Sequence, residues 1–200
     1  MREKGPPSEV GGYKVARPAD NGRAGVESRP MTRLRRIEQL DRIFFVTFNV
    51  ERGVPLLSPH ERSVVLEILD GLRTPLGFMV FGYAVMPDHA HLLLWPRKVP
   101  LTRVMRDLKS RSGYAIAQGR QIPGAIWQRS YFDFICRRAH DFGDKLGYIH
   151  RNPVEAGLVS RPDEWQWSSF QFYARAGPCP VIPDKIDFSG DPDELLLPHW

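Results

Sequence analysis

The chain has 200 residues, 42% apolar and 26% charged, the size and composition of one ordinary domain with a real core. No apolar run approaches the ~20 residues that cross a bilayer, the opening MREKGPPSEV has no apolar stretch of a secretory signal, and two cysteines, Cys136 and Cys179, make neither a disulfide framework nor a cysteine-rich zinc site, so a soluble intracellular protein is expected. The net charge of +5 divides into +5 over residues 1–36, +4 over 37–159 and −4 over 160–200, a weak pointer to an acidic partner such as nucleic acid.

Residues 1–36 are rich in Gly, Pro, Arg and Glu and lack apolar periodicity, the pattern of a flexible basic arm. Residues 42–50, RIFFVTFNV, read as a strand dominated by β-branched and aromatic side chains. Ser58-Pro59-His60-Glu61 is a capping box with Pro at the first helical position. Val64, Val65, Ile68, Leu69 and Leu72 then share one face, and Gly71 and Pro75 are expected to close the helix. Residues 78–86 are apolar on both faces and read as a central strand. Pro87-Asp88 is a tight turn, and residues 89–95 return antiparallel.

Pro100 opens a second helix with Leu101, Val104, Met105 and Leu108 as its buried stripe. Residues 126–137 are aromatic-rich and read as extended. Asp141 is expected to cap a last helix, with Asp144 in its first turn, running to Asn152 where Pro153 stops it. Beyond Val159, Trp165 and Trp167 read as packing anchors in a Pro- and Asp-rich segment. The order β-α-β-β-α-β-α predicts an α+β fold, a ferredoxin-like split β-α-β with an antiparallel sheet and helices on one face. The other face is left for a ligand or a further helix. Three parts are expected: the arm 1–36, a domain over 37–159 and a C-terminal extension over 160–200.

Three groups of residues carry chemistry. His89 and His91 stand at i and i+2 on a strand, so both imidazoles point to one face at a spacing suited to one divalent metal. Taken alone, an H-x-H pair is also what two ordinary histidines at a strand end look like. Tyr148 and Asn152 stand at i and i+4 on a helix, one above the other. Asn152 offers a carbonyl oxygen for a hard cation, although a packed Tyr and a helix-ending Asn account for each singly. Asp88, in the turn, is placed on the other face from His89, and His150 faces away from Tyr148, so neither is read as a ligand. Residues 97–111 carry Arg97, Lys98, Arg103, Arg106, Lys109 and Arg111 against Asp107, a net of +5. With so little acid, no i,i+4 pairing is expected to support the run, and a phosphate-facing surface explains it better than a solvated helix face.

Met86-Pro87-Asp88-His89-Ala90-His91-Leu92-Leu93-Leu94 resembles the HUH motif of single-tyrosine transposases. The stretch Tyr148-Ile149-His150-Arg151-Asn152-Pro153-Val154-Glu155-Ala156-Gly157-Leu158-Val159 resembles the tyrosine motif of their REP-associated branch, as does Trp165-Gln166-Trp167-Ser168-Ser169 its C-terminal segment. The related insertion-sequence branch usually carries Gln where this chain has Asn152. The resemblance covers about residues 40–170 and implies an HUH endonuclease-type fold that cleaves DNA at or near hairpin repeats. It implies Mg²⁺ or Mn²⁺ bound by His89 and His91 with Asn152 as third ligand, and Tyr148 as the nucleophile of a 5′-phosphotyrosine intermediate. Lys145, one turn before Tyr148, would stabilise the phenolate.

The implied partner is single-stranded or hairpin DNA resembling repetitive extragenic palindromes, met by the six basic residues of the run with Arg129 and Tyr131. The implied setting is a bacterial cytoplasm, with the protein a monomer or homodimer and no membrane involved. The acidic end is expected to fold over the basic groove as an internal competitor. Two other readings are open: a non-catalytic ferredoxin-like module for RNA or single-stranded DNA, and a metal-dependent hydrolase that uses water in place of Tyr148.

Overall fold

A computed structural model describes residues 42–175 and 177–186; the basic arm and the acidic last residues lie outside the described residues. Strand β1 (Ile43–Asn49) leads through a loop to helix α1 (Pro59–Leu76). The capping box forms as the sequence predicts: Glu61 N–H donates to Ser58 Oγ, and the Glu61 carboxylate accepts from Ser58 N–H. The helix does not close at Gly71 or Pro75. It runs past both and ends at Gly77, whose φ of +66° gives the left-handed cap that glycine adopts most easily. Pro75 sits in the last turn, where one missing N–H costs little.

Strands β2 (Met79–Val85) and β3 (His89–Trp95) form the expected hairpin, with Met86 N–H donating to His89 O across the Pro87-Asp88 turn. Helix α2 (Leu101–Arg120), strand β4 (Phe132–Cys136) and helix α3 (Ala139–Glu155) follow. Asp141 stands at the third helical position of α3 and reaches back to Arg137 N–H and Arg138 N–H; Arg138 itself is the capping residue. Helix α3 also continues through Pro153 for a further turn, closed by Ala156 N–H to Asn152 O and Leu158 N–H to Pro153 O. A proline removes its own donor and crowds the carbonyl one turn back, a cost offset here by the burial of Pro153 under the helix.

The sheet order is β2-β3-β1-β4 with every neighbouring pair antiparallel, the split β-α-β arrangement of an α+β ferredoxin-like fold. Because strand side chains alternate, the four strands feed two cores. Phe44, Val46, Phe48, Ala90, Leu92 and Leu94 face α1 and α2. Ile43, Phe45, Phe81, Leu93 and Trp95 face the other way, where Phe142, Leu146 and Ile149 of α3 cover them. The face left for a ligand or a further helix therefore takes the helix. Its close approach depends on Gly82: a Cβ there would stand 2.6 Å from Leu146 Cδ1.

Strand β2 is not central. It is an edge strand, buried by the chain that follows α3. Trp165 and Trp167 are buried as expected, and the Arg62 guanidinium stacks on both rings at 4.9 and 3.9 Å. Val85 N–H then donates to Trp167 O and Ser169 N–H to Tyr83 O, so this segment pairs with the outer edge of β2. After α4 (Phe170–Ala174) the chain returns to the same edge. Val181 N–H donates to the Tyr83 hydroxyl, which donates to Val181 O, and Asp184 N–H donates to Val80 O. The described part of the acidic extension thus straps β2 and does not lie over the basic helix. One of its acids, Asp184, accepts from Val80 N–H and Arg73 Nη2, each at 2.7 Å.

A second anchor fixes the loop ahead of α1. Arg120, at the end of α2, forms a two-point ion pair with Glu61 and also donates to Pro55 O and Leu56 O. The Arg120 hydrogen bond holds the Glu61 carboxyl down at about 2. Leu57 N–H, in the loop so held, donates to Pro87 O and fixes the β2–β3 turn from outside. Among the described residues no helix is long and apolar enough to cross a membrane.

The strap gives a direct prediction. Asp184→Ala removes two hydrogen bonds, one of them charge-paired, and is expected to lower the unfolding free energy by about 2 kcal/mol, read from urea denaturation.

Candidate active site

The β1–β3 register sets the first half of the site. Thr47 lies opposite His91 and Asn49 opposite His89, at the turn end of the β2–β3 hairpin. His91, on the α3 side of the sheet, is only 2% exposed. Helix α3 supplies the second half, because Tyr148 and Asn152 are one turn apart on the face that meets these strands. His89 Nε2 lies 3.0 Å from His91 Nε2 and 3.2 Å from Asn152 Oδ1. Asn152 Nδ2 donates to the Tyr148 hydroxyl at 3.3 Å. The structure thus brings His89, His91, Asn152 and Tyr148 together from two elements far apart in the chain.

Tyr148 is 37% exposed. Its ring meets Phe45 and His91 edge-on, with centroids 5.8 and 5.2 Å away, so the hydroxyl is steered while the oxygen stays open to solvent. Phe45 is the floor of the site, since its ring also stacks on His91 at 5.5 Å. Lys145 places its ammonium 5.2 Å from the Phe45 ring and 4.6 Å from that of Phe134. It shares the floor of the site with Tyr148. His150 faces away, as its position predicts, and is buried against Phe170 and Tyr173 with a 2.9 Å contact to Ser169 Oγ.

The outer nitrogens decide the chemistry of the inner ones. Asp88 Oδ1 lies 2.7 Å from His89 Nδ1, and this hydrogen bond holds the Asp88 carboxyl below its ordinary range. A charged carboxylate only accepts, so His89 Nδ1 carries the ring proton and its Nε2 presents a lone pair. Thr47 Oγ1 lies 2.8 Å from His91 Nδ1. A hydroxyl donates or accepts, so His91 can place its proton on Nδ1 without losing this bond. Burial first, and the neighbouring His89 second, push His91 down to about 3, so its ring is neutral. With the His91 proton also on Nδ1, two imidazole lone pairs and one amide oxygen converge, His89 Nε2 lying 3.0 Å from His91 Nε2 and 3.2 Å from Asn152 Oδ1. That set fits a divalent cation of the kind that accepts nitrogen and oxygen ligands. The described residues gather no group of three or more His, Cys, Asp and Glu side chains; the third donor is an amide.

Two contributors are missing from the sequence reading. Asp88 is expected to point away from His89, but the turn brings its carboxylate back to the adjacent ring. Thr47 is the first polar side chain in the strand IFFVTFN, and that interruption after four apolar residues is the signal that would have found it.

The basic residues divide among three places. Arg103, Arg106 and Arg111 are exposed on α2, whose buried stripe packs on the opposite face of the sheet from the histidines. This part of the run therefore lies across the sheet from the site: Ala90 and Leu92 point to α2, whereas His91 points to α3 and His89 reaches Asn152 of α3. Nor does the run lack acid pairing, because Asp107 accepts from Arg103 at i,i+4 (2.7 Å) and from Arg106 (3.0 Å). Lys109 donates to Gln128 O, Arg129 O and Ser130 O, so it holds the loop ahead of β4, and its ammonium lies 5.8 Å from the Tyr131 ring. That loop borders the site end of β1, since Gln128 N–H donates to Asn49 O. Arg129 is exposed there. Arg97, at a φ of +55°, lies over the Trp95 ring, and Lys98 is exposed beside it.

Known proteins resemble this chain in family and fold. Residues 44–152 match the family model described as IS200-like transposase. A protein of Haemophilus influenzae named as a REP-associated tyrosine transposase is 29% identical over 132 residues, 58% of this chain and 69% of that one. The REP-associated tyrosine transposase of Escherichia coli is 23% identical over 150 residues, 73% of this chain and 88% of the relative. A solved structure of a REP-associated tyrosine transposase bound to a REP hairpin has the same fold, with a TM-score of 0.62 at 22% identity over 84% of this chain and 100% of that one.

Burial holds His91 down at about 3 and His150 at about 4, against about 6.5 for a free imidazole. Below 6.5 the unfolded chain binds protons that the folded chain does not. Stability is therefore expected to fall as pH drops from 6.5 toward 4. The urea midpoint should be lower at pH 5 than at pH 7, and His150→Gln should remove about half of that gap.

Proposed function

The chain belongs to the IS200-like transposase family, and on that premise we propose that it nicks and rejoins single-stranded DNA at or near hairpin repeats, with Tyr148 as nucleophile. The observation that carries this reading is the unbroken line of contacts from the Tyr148 hydroxyl through Asn152 to His89 and His91. A bare phenol has a pKa of about 10 and is a weak nucleophile. Asn152 Nδ2, donating to that oxygen, favours the phenolate over the phenol. Lys145, over the shared Phe45 ring, adds positive potential nearby.

Tyr148 loses its proton to solvent and its oxygen attacks the scissile phosphorus. The new bond is a 5′-phosphotyrosine, the bond to the 3′ oxygen breaks, and that oxygen takes a proton to leave a free 3′-hydroxyl. The reverse attack by a 3′-hydroxyl rejoins a strand without ATP, because the phosphotyrosine conserves the energy of the phosphodiester. His89 Nε2, His91 Nε2 and Asn152 Oδ1 would hold Mg²⁺ or Mn²⁺, which when bound supplies Lewis-acid polarisation of a non-bridging phosphate oxygen. Asp88 and Thr47 keep the two imidazoles oriented with their lone pairs inward, the usual work of partners behind metal-ligating histidines.

The substrate class follows from the same surfaces. A solved structure of a REP-associated tyrosine transposase holds a REP hairpin, and exposed aromatic rings beside cations suit an unpaired strand next to such a stem. Arg103, Arg106 and Arg111 offer phosphate contacts on the α2 side, Arg97 and Lys98 just beyond the end of β3, and Lys109, Arg129 and Tyr131 at the loop ahead of β4.

The test is a denaturing gel after incubation with labelled hairpin DNA bearing single-stranded flanks and Mn²⁺. A covalent protein–DNA band is expected, and Tyr148→Phe should abolish it. Cleavage that survives Tyr148→Phe would instead assign a water nucleophile, and binding without cleavage would assign a recognition module. His89→Ala should cut the rate at least about a hundredfold, since Lewis-acid stabilisation is worth several kcal/mol. Hairpin affinity in that variant should change by less than about threefold, because phosphate charge dominates binding.

A further inference from the structure

Strand β4 carries two exposed aromatic side chains that neither core uses. Phe132 is 58% exposed and Phe134 36%. Their register fixes where they point: Phe132 is opposite Thr47 and Phe134 opposite Phe45, so both lie on the α3 side of the sheet, the side of His91 and Tyr148. Asp133 and Ile135, between them, face the other layer. The Phe132 ring meets Phe45 at 6.4 Å, and Phe45 meets Tyr148 at 5.8 Å, so three rings form a row from the tyrosine to the edge of the sheet. Lys145 lies against this row, its ammonium 4.6 Å from the Phe134 ring.

An edge strand ordinarily sheds exposed aromatics, because an open apolar edge invites unwanted pairing. Here the exposed rings stand beside a nucleophile and a cation. Aromatic faces interleaved with positive charge are what an unpaired polynucleotide uses, its bases on the rings and its phosphates on the cations. Resting on the transposase reading above, we propose that Phe132 is the stacking platform for an unpaired base next to the scissile phosphate, with Lys145 taking the adjoining phosphate. Phe132 is then a positioning residue. It holds the flanking strand so that the phosphorus presents itself to Tyr148.

The test measures binding in the cleavage-deficient Tyr148→Phe background, with one hairpin carrying single-stranded flanks and one without them. Phe132→Ala should weaken binding of the flanked hairpin by about tenfold, within the range that base–aromatic stacking gives, and leave the stem-only hairpin unchanged. Phe132→Trp should keep wild-type affinity. Replacing bases next to the scissile phosphate one at a time by abasic sites should find one position that costs as much as Phe132→Ala and adds nothing to it. Equal weakening on both hairpins, or no such abasic position, overturns the proposal. So does a change of particle mass in sedimentation, which would make the exposed rings a contact between two copies of the chain. A normal covalent band from otherwise wild-type protein, together with unchanged binding by Phe132→Ala, would sink the platform while leaving Tyr148 as nucleophile. Selective loss of the flanked hairpin without any covalent band would do the reverse.

Discussion

Both faces of the sheet are buried, and a strand offers its side chains to them alternately. On β3 this sends Ala90, Leu92 and Leu94 to one core and His91, Leu93 and Trp95 to the other. A buried imidazole is costly unless hydrogen-bonded, and Thr47 answers that need from the opposing strand. The β1–β3 pairing therefore fixes more than strand order. A slip of one residue would turn both histidines into the α1–α2 core and leave Ala90 facing α3. The apolar residues that hold the register are at once the packing of the fold and the alignment of the site.

Helix α3 must then sit at one height and rotation over the sheet, and the chain beyond it sets both. His150 meets Ser169, and the Ser169 hydroxyl takes the Tyr83 N–H. Leu146 occupies the space that Gly82 leaves. Tyr148 and Asn152 lie on the opposite side of the same helix from His150. The C-terminal extension thus reaches the tyrosine through the helix, without touching it, and the strap on β2 is part of the machinery that aims it.

Local signals in the sequence were enough for the first strand, the capping box, the hairpin and the two pairs His89 with His91 and Tyr148 with Asn152; that the pairs meet was implied only by the family resemblance. They misled where a pattern reports burial without its source. Strand β2 is apolar on both faces, as a central strand is, yet its outer edge is covered by residues 167–169 and 184, far along the chain. Pro153 reads as a stop because propensity is local, whereas the packing of α3 carries the helix through it. The basic residues 97–111 are adjacent to the histidines in sequence, but the connection to α2 crosses to the other layer, and charge counting is blind to that. Thr47 and Asp88 act only through partners that the register and the turn supply.

The partition made by the sheet has a last consequence. The basic helix α2 and the tyrosine helix α3 are packed into different cores and share few neighbours. Changes in well-separated sites add to within about 0.5 kcal/mol. Drift on the outer face of α2 therefore leaves the geometry around Tyr148 intact, and α3 can be retuned without loosening α2. The fold is modular inside a single domain: the outer faces of the two layers tolerate change separately, provided the β1–β3 register they share is kept.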